Sequence, residues 1–350
     1  MPDAAAAAAE GDVVFVVPPG RPPSGGDLYN RSLIRALGGE GFRVKATTLH
    51  RLVTGAHPRR TEFWVDSLYI PALAAADPFG PEDRVFALIH SLPSADPGLS
   101  PGAAGKLRRA EDRFFARATG FLVTGPHTAD VLREQGLGGR PILVVPPAPC
   151  VLPKGPPRVP GVFTGLIVSS LIRGKGVPGF LDALAQEVRT ADVFAIRIAG
   201  RTDIEPATAS VCLEAIAAHP LIRRSVVHLG FVPCEELGRE YERSSALISP
   251  SSSETFGMAF HEARAFGLPI LAVRAPYSEP FIEEGRTGLL FESAAELARG
   301  TLGLVREPQR QRRLAASAAE ARPAAAYTWT DAARSFLSQR RGYAIFGPGT

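Results

Sequence analysis

The sequence predicts an α/β chain of two domains on three observations: short β-branched runs alternate with helix-periodic stretches, a proline-dense stretch interrupts them midway, and the alternation then restarts. Its 350 residues also exceed what one hydrophobic core usually organises.

The first run, VVFVV at 13–17, reads as a buried strand, PPGRPPSGG as a glycine-rich loop and DLYNRSLIRALGGEGF as a helix. FRVKATTL follows, then VFALIH leading to a helix around 103–118, then FLVTG, the helix PHTADVLREQG, and PILVV. Strands that are apolar throughout and separated by helices belong to a parallel sheet covered on both faces. Residues 146–160, PPAPCVLPKGPPRVP, hold too much proline for a helix or a central strand and read as a linker.

Beyond the linker come GVFTGLIVSS as a strand, GVPGFLDALAQEV as a helix, VFAIRIAG, a helix near 206–218, SVVHLGF, the helix PCEELGREYERS, and SALISPS. A helix near 257–266, the strand LPILAV, a short segment near 278–284 and the strand GLLF complete the second domain, and the remainder is helical. The last pattern, YTWTDAARSFLSQRR, is amphipathic and set apart by Pro323. The expected organisation is a Rossmann-like domain over 1–155, a second over 156–325, a cleft between them, and a final helix over 326–350 that returns to the first domain.

Composition excludes several classes. Hydrophobic residues at 45% and charged residues at 21% leave no case for disorder, collagen or a coiled coil. The net charge of +4 is spread along the chain, too diffuse for nucleic-acid binding but compatible with anionic small ligands. Cys150, Cys212 and Cys234 are odd in number and lack CxxC spacing, so neither a disulfide framework nor a zinc site is expected. A reducing, cytoplasmic setting fits that usage. The opening MPDAAAAAAEGD has no basic leader region, and no apolar run approaches the roughly 20 residues of a membrane span.

The sharpest chemistry lies in SPSSSETFGMAFHEARAFGLPILA, residues 249–272, a strand followed by a polar loop and a helix starting near Gly257. The amides of Phe256, Gly257 and Met258 are then first-turn donors, which with the helix dipole attract a phosphate or sugar oxygen. Gly257 lets a ligand approach the backbone closely. Glu254 stands at the loop mouth and Glu262 about one and a half turns inside the helix. Ionised carboxylates only accept hydrogen bonds, so they suit hydroxyls, one set on a sugar and one on a ribose. A nucleotide sugar is the expected ligand.

At these residues the chain resembles the retaining, GT-B-fold glycosyltransferases of family 4 (glycosyl transferases group 1), whose signature is two glutamates separated by seven residues. Ser252, Gly257, Glu262, Ala263 and the Gly267–Leu268–Pro269 turn also resemble the family pattern. The resemblance implies that Glu254 meets the donor sugar and Glu262 the nucleotide ribose, with Thr255, Phe256, Gly257 and Met258 lining the donor. GLIVSSLIRGKGVPGFLDALA, residues 165–185, is similar to the segment where family members place an arginine and a lysine against the donor diphosphate. Lys175 matches the lysine. Ser170 stands where the arginine is usual, and Arg173 is the nearby candidate to supply that charge. Cleavage builds negative charge on the leaving diphosphate, which a cation placed beforehand stabilises.

In the first half, where resemblance rests on the order of elements, Gly25 and Gly26 lie in the loop after the first strand, with Asp27 as a candidate helix cap, and His90 ends VFALIH where family members bring a histidine to the donor sugar. The expected catalytic residues are therefore Glu254, His90 and Lys175. No Asp-x-Asp pair occurs in the chain, so no metal and no cofactor beyond the donor is expected. Acceptor, donor base and oligomeric state stay open; the acceptor is a small molecule, a lipid or a glycan.

Two other classes compete. Gly174–Lys175–Gly176–Val177–Pro178–Gly179 formally spells GxGxxG, the mark of an NAD(P)-dependent oxidoreductase, but Pro178 and the distance from the strand argue against it. An inactive sugar-nucleotide-binding module is the other. A peripheral membrane contact through KLRRAEDRFFAR, residues 106–117, is weakened by Glu111 and Asp112, which read as part of a solvated face.

Overall fold

The computed structural model describes residues 13–19, 24–95, 99–156, 161–252, 257–323 and 326–344. It divides into two units, Met1–Pro147 with Tyr327–Thr350, and Ala148–Ala326. The linker's first residues thus close the first unit and its remainder opens the second.

The first unit runs β1 (Val13–Val16), α1 (Gly25–Gly39), β2 (Val44–Thr47), α2 (Leu49–Thr54), β3 (Glu62–Asp66), α3 (Ile70–Ala76), β4 (Arg84–Ile89), α4 (Pro101–Arg117), β5 (Gly120–Val123), α5 (Pro126–Leu132) and β6 (Ile142–Val144). Its strands pair in parallel in the order β2-β1-β3-β4-β5-β6. The central strands are buried on both faces because side chains alternate between two packed layers. Phe63 and Val65 join Val14, Val85 and Phe121 on one face. Trp64 goes to the other, stacked on Phe86 with centroids 4.2 Å apart.

The second unit runs β7 (Phe163–Val168), α6 (Val177–Glu187), β8 (Phe194–Ala199), α7 (Pro206–Ala218), α8 (Pro220–Ser225), β9 (Val226–Gly230), α9 (Cys234–Glu242), β10 (Ala246–Ser249), α10 (Met258–Phe266), β11 (Ile270–Val273), β12 (Gly288–Phe291), α11 (Ala294–Arg306) and α12 (Pro308–Glu320). All its pairings are parallel, in the order β12-β11-β10-β7-β8-β9. Each sheet, taken by itself, therefore carries its strand carboxyl ends, and the loops after them, along one edge. Open α/β sheets bind their ligands at that edge.

The last helix, α13 (Trp329–Ala344), belongs to the first unit. Phe336 packs edge-on against Trp64 at 4.9 Å. Gln339 works as a piece of strand: its Oε1 accepts the Val144 N–H at 3.0 Å and its Nε2 donates to the Val144 carbonyl at 2.9 Å. Arg340 donates two hydrogen bonds to the carboxylate of Glu62, at 2.8 and 3.2 Å, and Trp64 Nε1 donates a third at 2.8 Å. Both charged side chains are buried. Such a pair adds little against an apolar substitute but is costly to break on one side.

Three sequence expectations are revised. The glycines expected in the first loop are the first two residues of α1, and the cap is Ser24, not Asp27. Asp27 returns a hydrogen bond from the Ser24 N–H and completes a capping box, because a short hydroxyl at the cap and an acid three residues on satisfy both free amides. Glu111 does not sit on a solvated face: it is buried and accepts from the Ser94 N–H at 2.7 Å and the Ser94 hydroxyl at 2.5 Å. EFWVD, which the sequence reading does not single out, forms a central strand.

Arg340→Ala should lower the stability of the first unit by about 1–3 kcal/mol, because buried Glu62 loses its two-pronged partner and keeps Arg84 at 3.5 Å and the Trp64 N–H. Urea unfolding of the variant checks this, and a midpoint equal to that of the wild type would refute it.

Candidate functional site

The candidate site of the second unit is built by loops after β7, β8 and β10. After β7 the chain leaves the strand at Ser169, whose N–H donates to the Ala199 carbonyl at 2.9 Å, while the Leu171 N–H donates to the Arg201 carbonyl at 2.8 Å. It then turns once through Arg173–Lys175 as a 3-10 helix and enters α6. Gly176 closes that turn at φ +68°, and a Cβ there would lie 2.2 Å from the Pro250 carbonyl oxygen, so no other residue fits. Gly200 is pressed as closely on Ser169. The loops after three neighbouring strands are thereby in backbone contact, and Lys175 sits among them.

Side chains fasten the arrangement. The Ser251 hydroxyl donates to the Gly174 carbonyl at 3.3 Å, and the Tyr277 hydroxyl donates to the Ser251 carbonyl at 2.5 Å. Tyr277 stacks on Phe260 at 5.9 Å. Gly257 is the N-cap of α10 at φ +57°, a cap residue with no side chain of its own, and Met258 is the first residue of the helix. The start of such a nine-residue helix carries amide donors and a partial positive charge. Glu254, Thr255 and Phe256 lie outside the described residues. Lys175 is half-buried and Arg173 exposed, with the Arg173 N–H donating to Glu205 at 2.9 Å.

Glu262 lies one helical turn inside α10 and is buried, 2% exposed. Its two oxygens already accept hydrogen bonds from the protein, Oε2 from the Tyr241 hydroxyl at 2.6 Å and Oε1 from the Cys150 N–H at 3.1 Å. Burial pushes its carboxyl up to about 7, and the bonds from Tyr241 and Cys150 hold it from going further. Burial likewise takes the adjacent His261 down to about 4, with Arg264 adding to the effect, so this imidazole is neutral at physiological pH.

Cys150 and Cys234 form a disulfide with Cα atoms 5.8 Å apart, contrary to the expectation from cysteine spacing. The sequence argument failed because it weighed number and spacing, whereas the parallel sheet brings together residues 84 apart in the chain. The bond pins the segment after Pro149 to the first turn of α9, where Val151 leaves room only for glycine at 238. It also fixes the Cys150 amide that meets Glu262. Cys212 is buried and free.

In the first unit, two of the predicted positions meet. A Cβ on Gly26 would lie 3.2 Å from the His90 ring, so the helix start packs directly on the imidazole. Gly25 has open space around it. His90 follows β4, is buried, and through Nε2 meets Asn30 Oδ1 at 2.9 Å and Asp66 Oδ2 at 3.2 Å. Asn30 in turn donates to Asp66 at 2.7 Å. Burial would raise the Asp66 carboxyl, but the His90 ring and bonds from His90, Leu68 and Asn30 outweigh it and hold the group below its usual range. Two acceptors at Nε2 fix the proton on that nitrogen. Asp66 and Asn30 were not singled out in the sequence; a carboxylate closing the apolar triplet Phe63–Trp64–Val65 was the available signal.

Among the described residues no group of three His, Cys, Asp or Glu side chains stands together as a metal would require. No described helix is long and apolar enough to cross a membrane.

Comparison with known proteins agrees with this geometry. The family profile of glycosyl transferases group 1 matches residues 158–321. The D-inositol 3-phosphate glycosyltransferase of Corynebacterium urealyticum is 32% identical over 131 residues, which are 37% of this chain and 31% of that protein. The alpha-monoglucosyldiacylglycerol synthase of Acholeplasma laidlawii is 22% identical over 147 residues, 42% of this chain and 36% of that protein. The chain therefore spans about a third of the length of these curated relatives. Among solved structures, sucrose-phosphate synthase from Thermosynechococcus elongatus superposes with a TM-score of 0.76 at 17% identity, covering 96% of this chain and 100% of that one. Anabaena Alr3699/HepE in complex with UDP and glucose gives 0.73 at 16%, covering 95% and 99%. The fold is the pair of Rossmann-like units known as GT-B. Residues 158–321 match the glycosyl transferases group 1 family.

Two outcomes follow. Thiol titration of the denatured, unreduced chain should find one reactive thiol, Cys212, and three after reduction; three thiols before reduction would remove the disulfide. The raised Glu262 carboxyl gives a signed pH effect. Below 4.5 the group is protonated in both folded and unfolded chains; between 4.5 and about 7 only the unfolded chain ionises, so stability falls as pH rises and levels off above that window. The loss should approach roughly 3 kcal/mol. Urea midpoints at pH 5 and pH 8 should differ in the wild type and much less in Glu262→Gln; an equal difference in both would show that Glu262 is not its source.

Proposed function

We propose that this protein is a glycosyltransferase that moves a hexosyl unit, with retained configuration and without a metal, from a nucleoside-diphosphate sugar with uracil or guanine as its base. The observation that carries the reading is the start of α10 at left-handed Gly257, on the same sheet edge as the Arg173–Lys175 turn, inside a segment that matches group 1. A helix start and a lysine together favour a diphosphate. That Anabaena Alr3699/HepE forms a complex with UDP and glucose supports a nucleotide sugar.

In this reading Lys175 offsets the charge that gathers on the departing diphosphate as the glycosidic bond lengthens. Glu254 accepts from a hydroxyl of the donor sugar; Glu262, which the resemblance gives to the ribose, is buried with both oxygens bonded to Tyr241 and Cys150 and meets the ribose only through lone pairs that those bonds leave. His90, which the resemblance makes catalytic, presents an imidazole whose orientation Asn30 and Asp66 hold through Nε2. The acceptor hydroxyl gives its proton to a diphosphate oxygen as its own oxygen bonds the anomeric carbon on the face the leaving group departs, so no side chain serves as nucleophile. The acceptor is a small molecule, a lipid or a glycan, and the protein acts in the cytoplasm, where nucleotide sugars are available.

A thermal-shift panel of nucleoside diphosphates and their sugars tests the binding, since a ligand of the native state raises the midpoint by mass action. UDP or GDP compounds should raise it, and a panel without any shift would sink the proposal. Lys175→Ala should then weaken donor binding and slow transfer, each roughly 10-fold or more. Glu254→Gln should slow turnover by a comparable factor, measured as nucleoside diphosphate released.

A further inference from the structure

The geometry points to Arg201 as a second cation for the diphosphate: we propose that its guanidinium fork exchanges the carboxylate of Asp203 for phosphate oxygens when the nucleoside diphosphate binds. The inference rests on the functional reading above and assigns a residue that reading does not use.

Arg201 follows β8, two residues beyond its last residue, Ala199. Its backbone is fixed to the loop after β7, because Ser169 N–H bonds the Ala199 carbonyl, Leu171 N–H bonds the Arg201 carbonyl, and Gly200 touches Ser169 too closely for any side chain. Ser170, which carries no charge, is thus bracketed on both sides by contacts to residues 199–201. The same loop runs on, within a few residues, into the turn that bears Lys175. His228 Nε2 lies 3.0 Å from the Gly200 carbonyl and steadies the other side.

The side chain is preset for an anion. Nε donates to Asp203 Oδ1 at 2.9 Å and a terminal nitrogen donates to Oδ2 at 2.8 Å, the two-pronged geometry that a phosphate also accepts. The partners differ in exposure: the Arg201 side chain is 16% exposed and that of Asp203 59%. A carboxylate so open to water gains little from the pair. The guanidinium is sunk and held, and its counter-ion is replaceable. A diphosphate carries more negative charge than one lysine offsets, and an arginine fork on the neighbouring loop supplies the remainder.

Isothermal titration of the full chain with UDP and uridine, and with GDP and guanosine, distinguishes the outcomes. Arg201→Ala should weaken the preferred nucleoside diphosphate by roughly 10- to 100-fold and leave its nucleoside unchanged, since only the phosphates lose a partner. Arg201→Lys should recover part of the loss, because a point charge replaces a fork. Asp203→Asn, which removes the competing carboxylate, should bind the diphosphate at least as tightly as the wild type. Nucleoside binding unchanged in Arg201→Ala reports that the fold is intact. A wild type that binds the diphosphate and an Arg201→Ala protein that binds it equally well would overturn this inference alone, whereas a wild type that binds neither diphosphate overturns the functional reading with it.

Discussion

The second unit depends on backbones that touch where no side chain can stand. Gly176 against Pro250 and Gly200 against Ser169 are contacts between main chains, and each ties the loop after one strand to the loop or strand end beside it. A methyl group at either place would force the loops apart, since packed interiors absorb very little extra volume. The Arg173–Lys175 turn, Arg201 and the approach to α10 inherit their positions from these two contacts. A rigid scaffold carrying polar groups on short loops is the usual way a sheet edge becomes a binding site.

Much of this was legible in the residues. Apolar runs such as FTGLIV and ALIS announce buried parallel strands because both faces of such a strand are covered, and the amphipathic helices between them follow the 3.6-residue period. The place of Gly257 and Lys175 at strand-to-helix junctions followed from that alternation. What failed did so for lack of local signal. EFWVD mixes charges with apolar residues because Glu62 faces Arg340, a residue 278 positions away, and no window of sequence contains that partner. Cys150 and Cys234 meet for the same kind of reason. His90 was recognised, but Asn30 and Asp66, which hold its ring, come from other elements.

Glu262 shows how a residue recognised from a motif acquires its character from surroundings the motif does not contain. Spacing placed an acid inside the helix; burial, the Tyr241 hydroxyl from α9 and the Cys150 amide decide its protonation. The disulfide adds to this, because it anchors the segment that presents the amide. Reduction of that bond and ionisation of that carboxyl are therefore linked physically, through one hydrogen bond.

The membership of α13 in the first unit has a consequence for biosynthesis. Ala148–Ala326 is one continuous stretch and contains every strand of its own sheet, so it is free to fold as soon as it clears the ribosome. The earlier-made half has to wait with the flank of β6 and the carboxylate of Glu62 uncovered until Gln339 and Arg340 have been translated. The half made first is thus the half completed last, and during that interval its open sheet margin is where a chaperone would be needed most.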